Sequence, residues 1–253
     1  MRRLVLVRHG ESIWNAEARI QGQACAGLSD IGHAQAKVTA AALSAAYPDA
    51  HLVTSDLQRT VETMAPLEEA LGREPVHDPR LRERSFGDWE GHLRAEVIAA
   101  EPERWQRWLD GEDVVGEVGG ESAAQLADRV EPVLRELLDA TPDGGVTIAV
   151  THGGPVWHGT HRVLGLRPGT FGAVGNASVT EFLAFDGRAR GNGGGPAPVV
   201  LDRWNELAHL PLELRIGWVP SVLGAAAGEG SDRAGSDRAG SHPAGSDAPP
   251  VGR

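Results

Sequence analysis

Leu4-Val5-Leu6-Val7-Arg8-His9-Gly10-Glu11 places four apolar residues, rich in β-branching, directly before a charged pair and a glycine. An all-apolar run of strand length suits a central strand in a sheet covered on both faces. His51 to Ser55 and Val146 to Thr151 have the same character. Helical patterns lie between these runs. Ile31 to Tyr47 is rich in Ala with apolar spacing, and Asp56 to Leu71 follows a Ser55-Asp56 start suited to capping. From Glu121 to Leu138, Leu126, Val130, Val133/Leu134 and Leu137/Leu138 recur at helical period. Strand followed by helix, repeated, predicts an α/β fold: three layers, α/β/α, with a mostly parallel central sheet and helices on both faces.

The chain has 253 residues, but its last thirty or so differ in kind. From Gly224 to Arg253 the composition shifts to Gly, Ala, Ser, Asp and Pro, with Gly-Ser-Asp-Arg-Ala twice in succession. Such a segment cannot bury enough apolar surface to offset its ordering entropy, which predicts a disordered tail. Residues 1–223 then form one domain, a size that buries a single large core. Within it, residues 84–118 set Trp89, Trp105 and Trp108 among charges and glycines, the pattern of a lid over one sheet edge. Ser178 to Phe185 and Val199 to Trp204 read as late strands, separated by the glycine-rich stretch Gly191 to Gly195.

A formal net charge of −11 argues against a nucleic-acid partner, since polyanion binders carry a basic face. Cys25 is the only cysteine, so no disulfide forms within the chain. The N-terminal apolar run is too short for a signal peptide. No run approaches the roughly eighteen apolar residues of a membrane span, so a cytoplasmic location is expected. A homodimer is left open, with Trp157 or the Trp105/Trp108 region as either interface or packed core.

In an α/β sheet the carboxyl ends of the strands define the ligand crevice. Arg8 and His9 leave the first strand there, His152 leaves the Val146–Thr151 strand, and Arg59 sits one turn into the helix after His51–Ser55. Any one of these alone reads as an ordinary surface or core residue. Together at three strand exits they suit a phosphoryl group, whose charged oxygens must be held while phosphorus changes partners. Arginine offers a permanently charged planar fork matching phosphate oxygens, and histidine a neutral nucleophilic nitrogen. Fixed cations perform that electrostatic work without a metal, and no carboxylate cluster resembles a magnesium site. No metal or cofactor is expected, and the partner is a small phosphate ester.

Leu6-Val7-Arg8-His9-Gly10-Glu11-Ser12 resembles the signature of the histidine phosphatase superfamily, which includes cofactor-dependent phosphoglycerate mutases and many phosphomonoesterases. Further pieces match in order: Asn15, Gln21-Gly22, Leu28-Ser29-Asp30-Ile31-Gly32 and Thr54-Ser55-Asp56-Leu57-Gln58-Arg59-Thr60. Leu81-Arg82-Glu83 with Phe86-Gly87-Asp88-Trp89-Glu90-Gly91, then Gly119-Gly120-Glu121-Ser122 and Thr151-His152-Gly153-Gly154, complete the set. The resemblance implies a phosphoglycerate mutase-like fold, with His9 as the nucleophile that becomes phosphohistidine. It implies that Arg8, Arg59 and His152 clamp the phosphoryl oxygens, with Asn15, Gln21, Gly22 and backbone at Gly153 assisting in substrate binding. Glu83 resembles the acid that protonates the leaving oxygen and then activates water. Glu62, Glu90 and Glu121 are rival carboxylates. Glu90 is suited to hydrogen bonds within the lid, and Glu121 to capping the next helix.

The resembling mutases carry Glu-Arg-His-Tyr-Gly at the acid motif, followed by a longer, basic insertion. Here Glu83-Arg84-Ser85-Phe86-Gly87 lacks both the His and the Tyr hydroxyl, and Asp88 to Val118 is short and acidic. Hydrolysis is therefore expected over mutase transfer; a catalytically silent binding protein is the third reading, disfavoured because nucleophile and arginines are present. Gly175-Asn176-Ala177-Ser178 and Leu201-Asp202-Arg203-Trp204-Asn205 resemble an actinobacterial branch that includes glucosyl-3-phosphoglycerate phosphatases. Other sugar phosphates and α-ribazole phosphate stay open as substrates.

Overall fold

The computed structural model describes residues 1–24, 26–185 and 198–215. Cys25, the glycine-rich stretch at 191–195 and the tail at 224–253 lie outside the described residues. A six-stranded sheet forms the centre, in the order β3-β2-β4-β1-β5-β6. Its strands are β1 (Arg2–Arg8), β2 (His51–Thr54), β3 (Val76–His77), β4 (Val146–Thr151), β5 (Val179–Ala184) and β6 (Val199–Glu206). β3, β2, β4 and β1 run parallel, whereas β5 and β6 add an antiparallel edge. The sheet is thus mixed, with its parallel part where the sequence expectation lay.

β1 pairs with β4 on one side and β5 on the other, and Leu4 to Val7 are essentially inaccessible to solvent. Successive side chains of a strand point to opposite faces. Leu4 and Leu6 accordingly enter one core with α6 (Ala123–Ala140) and α7 (Gly153–Leu164), through Leu126, Val130, Leu134 and Val156. Val5 and Val7 enter the other core with α2 (Asp30–Ala46) and α3 (Gln58–Leu71), through Ala40, Leu43, Met64 and Leu67. Three layers result. The chain leaving β1 goes to α2 on one face and the chain leaving β4 goes to α7 on the other, so a crevice opens between two adjacent strand ends.

α1 (Ile13–Ala16) is a single capped turn. Residues 84–118 carry α4 (Arg94–Ala100) and α5 (Pro102–Leu109), and they build a satellite core of Trp89, Val97, Trp105, Val114, Val115 and Val118. The Trp105 and Trp108 rings lie 4.7 Å apart, and Trp105 is buried there rather than presented to a partner. Trp157 donates its indole N–H to Phe171 O at 3.1 Å.

Two capping expectations fail. α3 begins at Gln58 without any side-chain cap, because its N-cap position falls on Leu57; Ser55 lies two residues earlier, its hydroxyl accepting from Leu57 N at 3.4 Å and lying 3.0 Å from His152 Nε2. α6 is capped by the Ser122 hydroxyl, which accepts from Gln125 N, while Glu121 pairs with Arg129 at 2.7 Å. Among the described residues, no helix is long and apolar enough to cross a membrane.

Candidate active site

Strand register brings the two histidines together. Arg8 is level with Thr151 across the β1–β4 ladder, so the next residues, His9 and His152, leave side by side with ring centroids 5.2 Å apart. The turn after β1 is tight: the amide of Gly10 donates to Thr63 Oγ1 at 3.0 Å, and a Cβ on Gly10 would meet Gly32 O at 2.6 Å. His9 is buried, with Nδ1 2.6 Å from Gly10 O. A carbonyl oxygen only accepts, so Nδ1 carries the proton and Nε2 keeps its lone pair. Burial first, then the charges of Arg59 and Arg8, hold the His9 imidazole well below its ordinary pKa and therefore neutral.

Arg59 and His152 form one buried unit. Arg59 lies on the first turn of α3, and its Nε donates to His152 Nδ1 at 3.2 Å. With Nδ1 accepting, the His152 proton sits on Nε2, which donates to Ser55 Oγ at 3.0 Å. Desolvation, then the nearby Arg59 charge, keeps His152 neutral as well. Ser55, the residue leaving β2, was legible as part of the strand end but not as a partner of His152. The other Arg59 nitrogens donate to Ala24 O at 3.1 Å and Gly22 O at 2.8 Å.

Arg8 is anchored from far along the sequence. One terminal nitrogen donates to Val174 O, and the loop carrying that carbonyl is fixed by Asn205. Asn205 accepts from Gly175 N at 2.7 Å and donates to Ala173 O at 3.1 Å, from a left-handed backbone conformation. Arg8 Nε is buried without a hydrogen-bond partner among the described residues, at the position nearest Gly153. A buried guanidinium donor left unmatched at the head of a helix is suited to an anionic oxygen. Desolvation lowers the Arg8 pKa to about 10, partly offset by Glu83, so it remains cationic at neutral pH.

Glu83 faces the same helix start. Its two oxygens accept from Gly154 N at 3.0 and 3.2 Å, and Oε1 also accepts from Arg84 N at 2.8 Å. Arg129 wraps the strand of chain that carries it, donating to the carbonyls of Arg80, Arg82 and Glu83 at 2.7, 3.0 and 3.3 Å. Arg129 sits mid-helix in α6 with no motif around it, so only its partners reveal this grip.

The remaining expected residues line the rim. Asn15 Oδ1 accepts from Ser12 N and from Asn176 Nδ2, both at 3.2 Å, and Asn176 Nδ2 also donates to His9 O at 3.2 Å. Gln21 Oε1 accepts from the Ser12 hydroxyl at 2.7 Å. Gly22 has φ +55° and contributes its carbonyl to Arg59. Gly153 follows His152 beside Arg8, but the amide aimed at the Glu83 carboxylate is that of Gly154. Glu62 accepts from Leu28 N at 2.6 Å and so braces the loop before α2, away from Glu83. Asn176 and Asn205 fell in matched segments, yet nothing local assigned them a task.

The arrangement sets a neutral buried imidazole between two guanidiniums, with one carboxylate on the far side of a helix N-terminus. It can receive a phosphoryl group at His9 Nε2 and exchange a proton at Glu83. Among the described residues, no three His, Cys, Asp or Glu side chains gather in a way that could hold a metal ion.

A profile of the histidine phosphatase superfamily (branch 1) matches residues 4–192. The chain is 38% identical over 221 residues to glucosyl-3-phosphoglycerate phosphatase of Mycolicibacterium vanbaalenii, covering 83% of this chain and 97% of that one. It is 36% identical over 213 residues to phosphoglycerate mutase-like protein 4 of Arabidopsis thaliana, covering 82% and 86%. A solved mycobacterial glucosyl-3-phosphoglycerate phosphatase complexed with VO3 superposes with a TM-score of 0.70 at 32% identity, covering 81% of this chain and 99% of that one. With its strand-exit histidines, two arginines and glutamate on the fold those relatives share, the chain belongs to the histidine phosphatase superfamily, branch 1, and is a phosphatase.

Proposed function

We propose that this chain hydrolyses a small phosphomonoester through a phosphohistidine on His9. The observation that carries the reading is the pairing of a buried, neutral His9, proton fixed on Nδ1, with the unmatched Arg8 Nε beside it. His9 Nε2 attacks phosphorus, and the bond from phosphorus to the alcohol oxygen breaks as Glu83 gives that oxygen its proton. Glu83, now a carboxylate, takes a proton from water; the water oxygen attacks phosphorus, the P–N bond breaks, and His9 is restored. Arg8 and Arg59 hold the equatorial oxygens, whose charge must be matched throughout. His152, with both ring nitrogens engaged, orients Arg59 and meets the phosphoryl group by exchanging its Ser55 bond. Asn15, Gln21, Gly22 and Gly153 frame the substrate side.

The lid supports hydrolysis over transfer to a second oxygen. Arg84, Arg104 and Arg107 are each tied to carboxylates of the lid itself, Arg84 to Asp113 and the other two to Glu117. Such cations have little left for a second phosphate. The named relatives make a phosphoglycerate derivative the leading substrate, glucosyl-3-phosphoglycerate first among them. We read residues 1–223 as the phosphatase domain, with 84–118 as its lid and 224–253 as a disordered tail, acting in the cytoplasm without a nucleic-acid partner.

The test is phosphate release from a panel containing glucosyl-3-phosphoglycerate, 3-phosphoglycerate and common sugar phosphates, for the native protein and His9→Ala. Quenched native enzyme is expected to carry an acid-labile, base-stable phosphoryl adduct that His9→Ala lacks. Unchanged turnover in His9→Ala would sink the proposal. Isomerisation of 3-phosphoglycerate outrunning phosphate release in the presence of 2,3-bisphosphoglycerate would replace it with the mutase reading.

A further inference from the structure

Glu90 lies outside the proposed chemistry, yet its carboxylate is one of the most heavily used acceptors near the site. Oε1 accepts from Gln23 N at 3.0 Å, Phe86 N at 2.8 Å and Ser85 Oγ at 3.1 Å, and Oε2 accepts from Ala24 N at 2.9 Å. Two of these donors belong to the lid and two to the loop after Gly22. That loop is the one whose carbonyls grip Arg59.

The peptide between Gly22 and Gln23 is shared outright. Its N–H points to Glu90 and its C=O points to Arg59 Nη2, as a planar trans peptide requires of groups facing opposite ways. Carboxylate, peptide dipole and guanidinium stand in line, with the negative group at the N–H end and the positive group at the C=O end. Hydrogen bonds arranged head to tail in this way polarise and strengthen one another. Ala24 bridges the same two groups through successive peptides, giving its N–H to Glu90 and its carbonyl to Arg59. The approach is so close that a Cβ on Gly22 would lie 1.9 Å from Glu90 Oε1, which together with φ +55° accounts for glycine there.

We propose that Glu90 is a positioning residue for the phosphoryl site, acting through Arg59. It fastens the lid to the Gly22–Ala24 loop and sets the two carbonyls that hold the guanidinium in place. The inference rests on the reading of Arg59 as a phosphoryl clamp. Glu90 itself touches no reacting atom.

Glu90→Gln tests this, because it keeps the shape but turns an amide N–H₂ toward backbone N–H groups. A displacement on the ångström scale at a positioned charge costs about a hundredfold in rate. Glu90→Gln is therefore expected to lower kcat, and to weaken competitive inhibition by orthovanadate, by about tenfold to a hundredfold. Melting temperature, read alongside, is expected to fall as donors lose their acceptor, so kcat is taken per folded molecule; Glu90→Asp supplies a second variant should Gln fail to fold. Arg59→Met and the Glu90→Gln/Arg59→Met double variant complete a cycle, in which the double variant is expected to bind vanadate no worse than Arg59→Met alone.

Outcomes separate cleanly. Vanadate affinity and turnover unchanged in Arg59→Met overturn the clamp reading itself. A large loss in Arg59→Met with additive effects in the double variant, or with none in folded Glu90→Gln, overturns the role assigned to Glu90. A fall in melting temperature with full activity per folded molecule marks Glu90 as merely structural and also overturns it.

Discussion

Gly154 offers a way to move Glu83 without touching its chemistry. A Cβ at residue 154 would stand 2.1 Å from Glu83 Oε1, and real Cβ contacts essentially never fall under 3.0 Å, so Gly154→Ala forces the carboxylate back by at least about 0.9 Å. The same methyl meets the tip of Leu126 at 3.1 Å, a flexible end that yields by a few tenths of an ångström. Residue 154 is the second of α7, where replacing Gly by Ala removes freedom from the unfolded chain, a gain of about 0.4–1 kcal/mol that opposes the strain at Glu83. General acid catalysis is worth about 10²–10⁴ in rate, and a shift near 1 Å forfeits about 10² of it. The loss depends on the leaving group, since only a poor one needs the proton. Gly154→Ala is expected to cut kcat on an alkyl phosphate such as 3-phosphoglycerate about a hundredfold, but to leave p-nitrophenyl phosphate nearly unaffected. The assay is phosphate release on both esters, with thermal unfolding as the control for folding. Equal losses on the two esters, or none on either, would refute Glu83 as the proton donor.

Two further expectations concern stability. His9, His152 and His158 all have lowered pKa values, His158 falling to about 4 through desolvation and the nearby Arg84. The unfolded chain takes protons at these sites near pH 6.5 while the folded one does not, so stability drops as pH falls below that value, by about 1.4 kcal/mol per unit for each group. Urea unfolding between pH 6.5 and 4.5 is expected to show this slope, reduced by one proton in His158→Gln; a flat profile contradicts the burial of neutral imidazoles. Arg129→Met strips three carbonyls of their donor and leaves Glu121 without its partner. Allowing for partial exposure, a loss of about 1–2 kcal/mol is expected in denaturant unfolding, together with a lower kcat as the Glu83 segment loosens. Full activity in that variant would remove Arg129 from any part in placing the acid.

The elements that carried the site were legible because their signals are local. Four apolar residues before Arg8 and His9 meant a central strand whose end faces the crevice, and the same reading held for Val146–Thr151 before His152. The antiparallel edge was not legible, since alternation says that β5 and β6 are strands and not which way each lies. Nor was it legible that α3 starts without a side-chain cap and that Ser122, not Glu121, caps α6. Ser55 carries the local mark of a capping residue, but the helix starts only at Gln58, and the fold gives its hydroxyl a buried histidine nitrogen as well as the Leu57 amide.

The sequence by itself determined which side chains emerge at the crevice, because a strand's period and end are written within a few residues. Tertiary structure alone decided how those side chains are held. Arg8 is anchored at Val174, Arg59 at Gly22 and Ala24, and Glu83 through Arg129 and Gly154, with each pair brought together only by folding. Such partners are set by register and by which helix returns to which face. No short stretch of chain encodes them, so the residues proposed for the chemistry could be named from sequence while those that hold them could not.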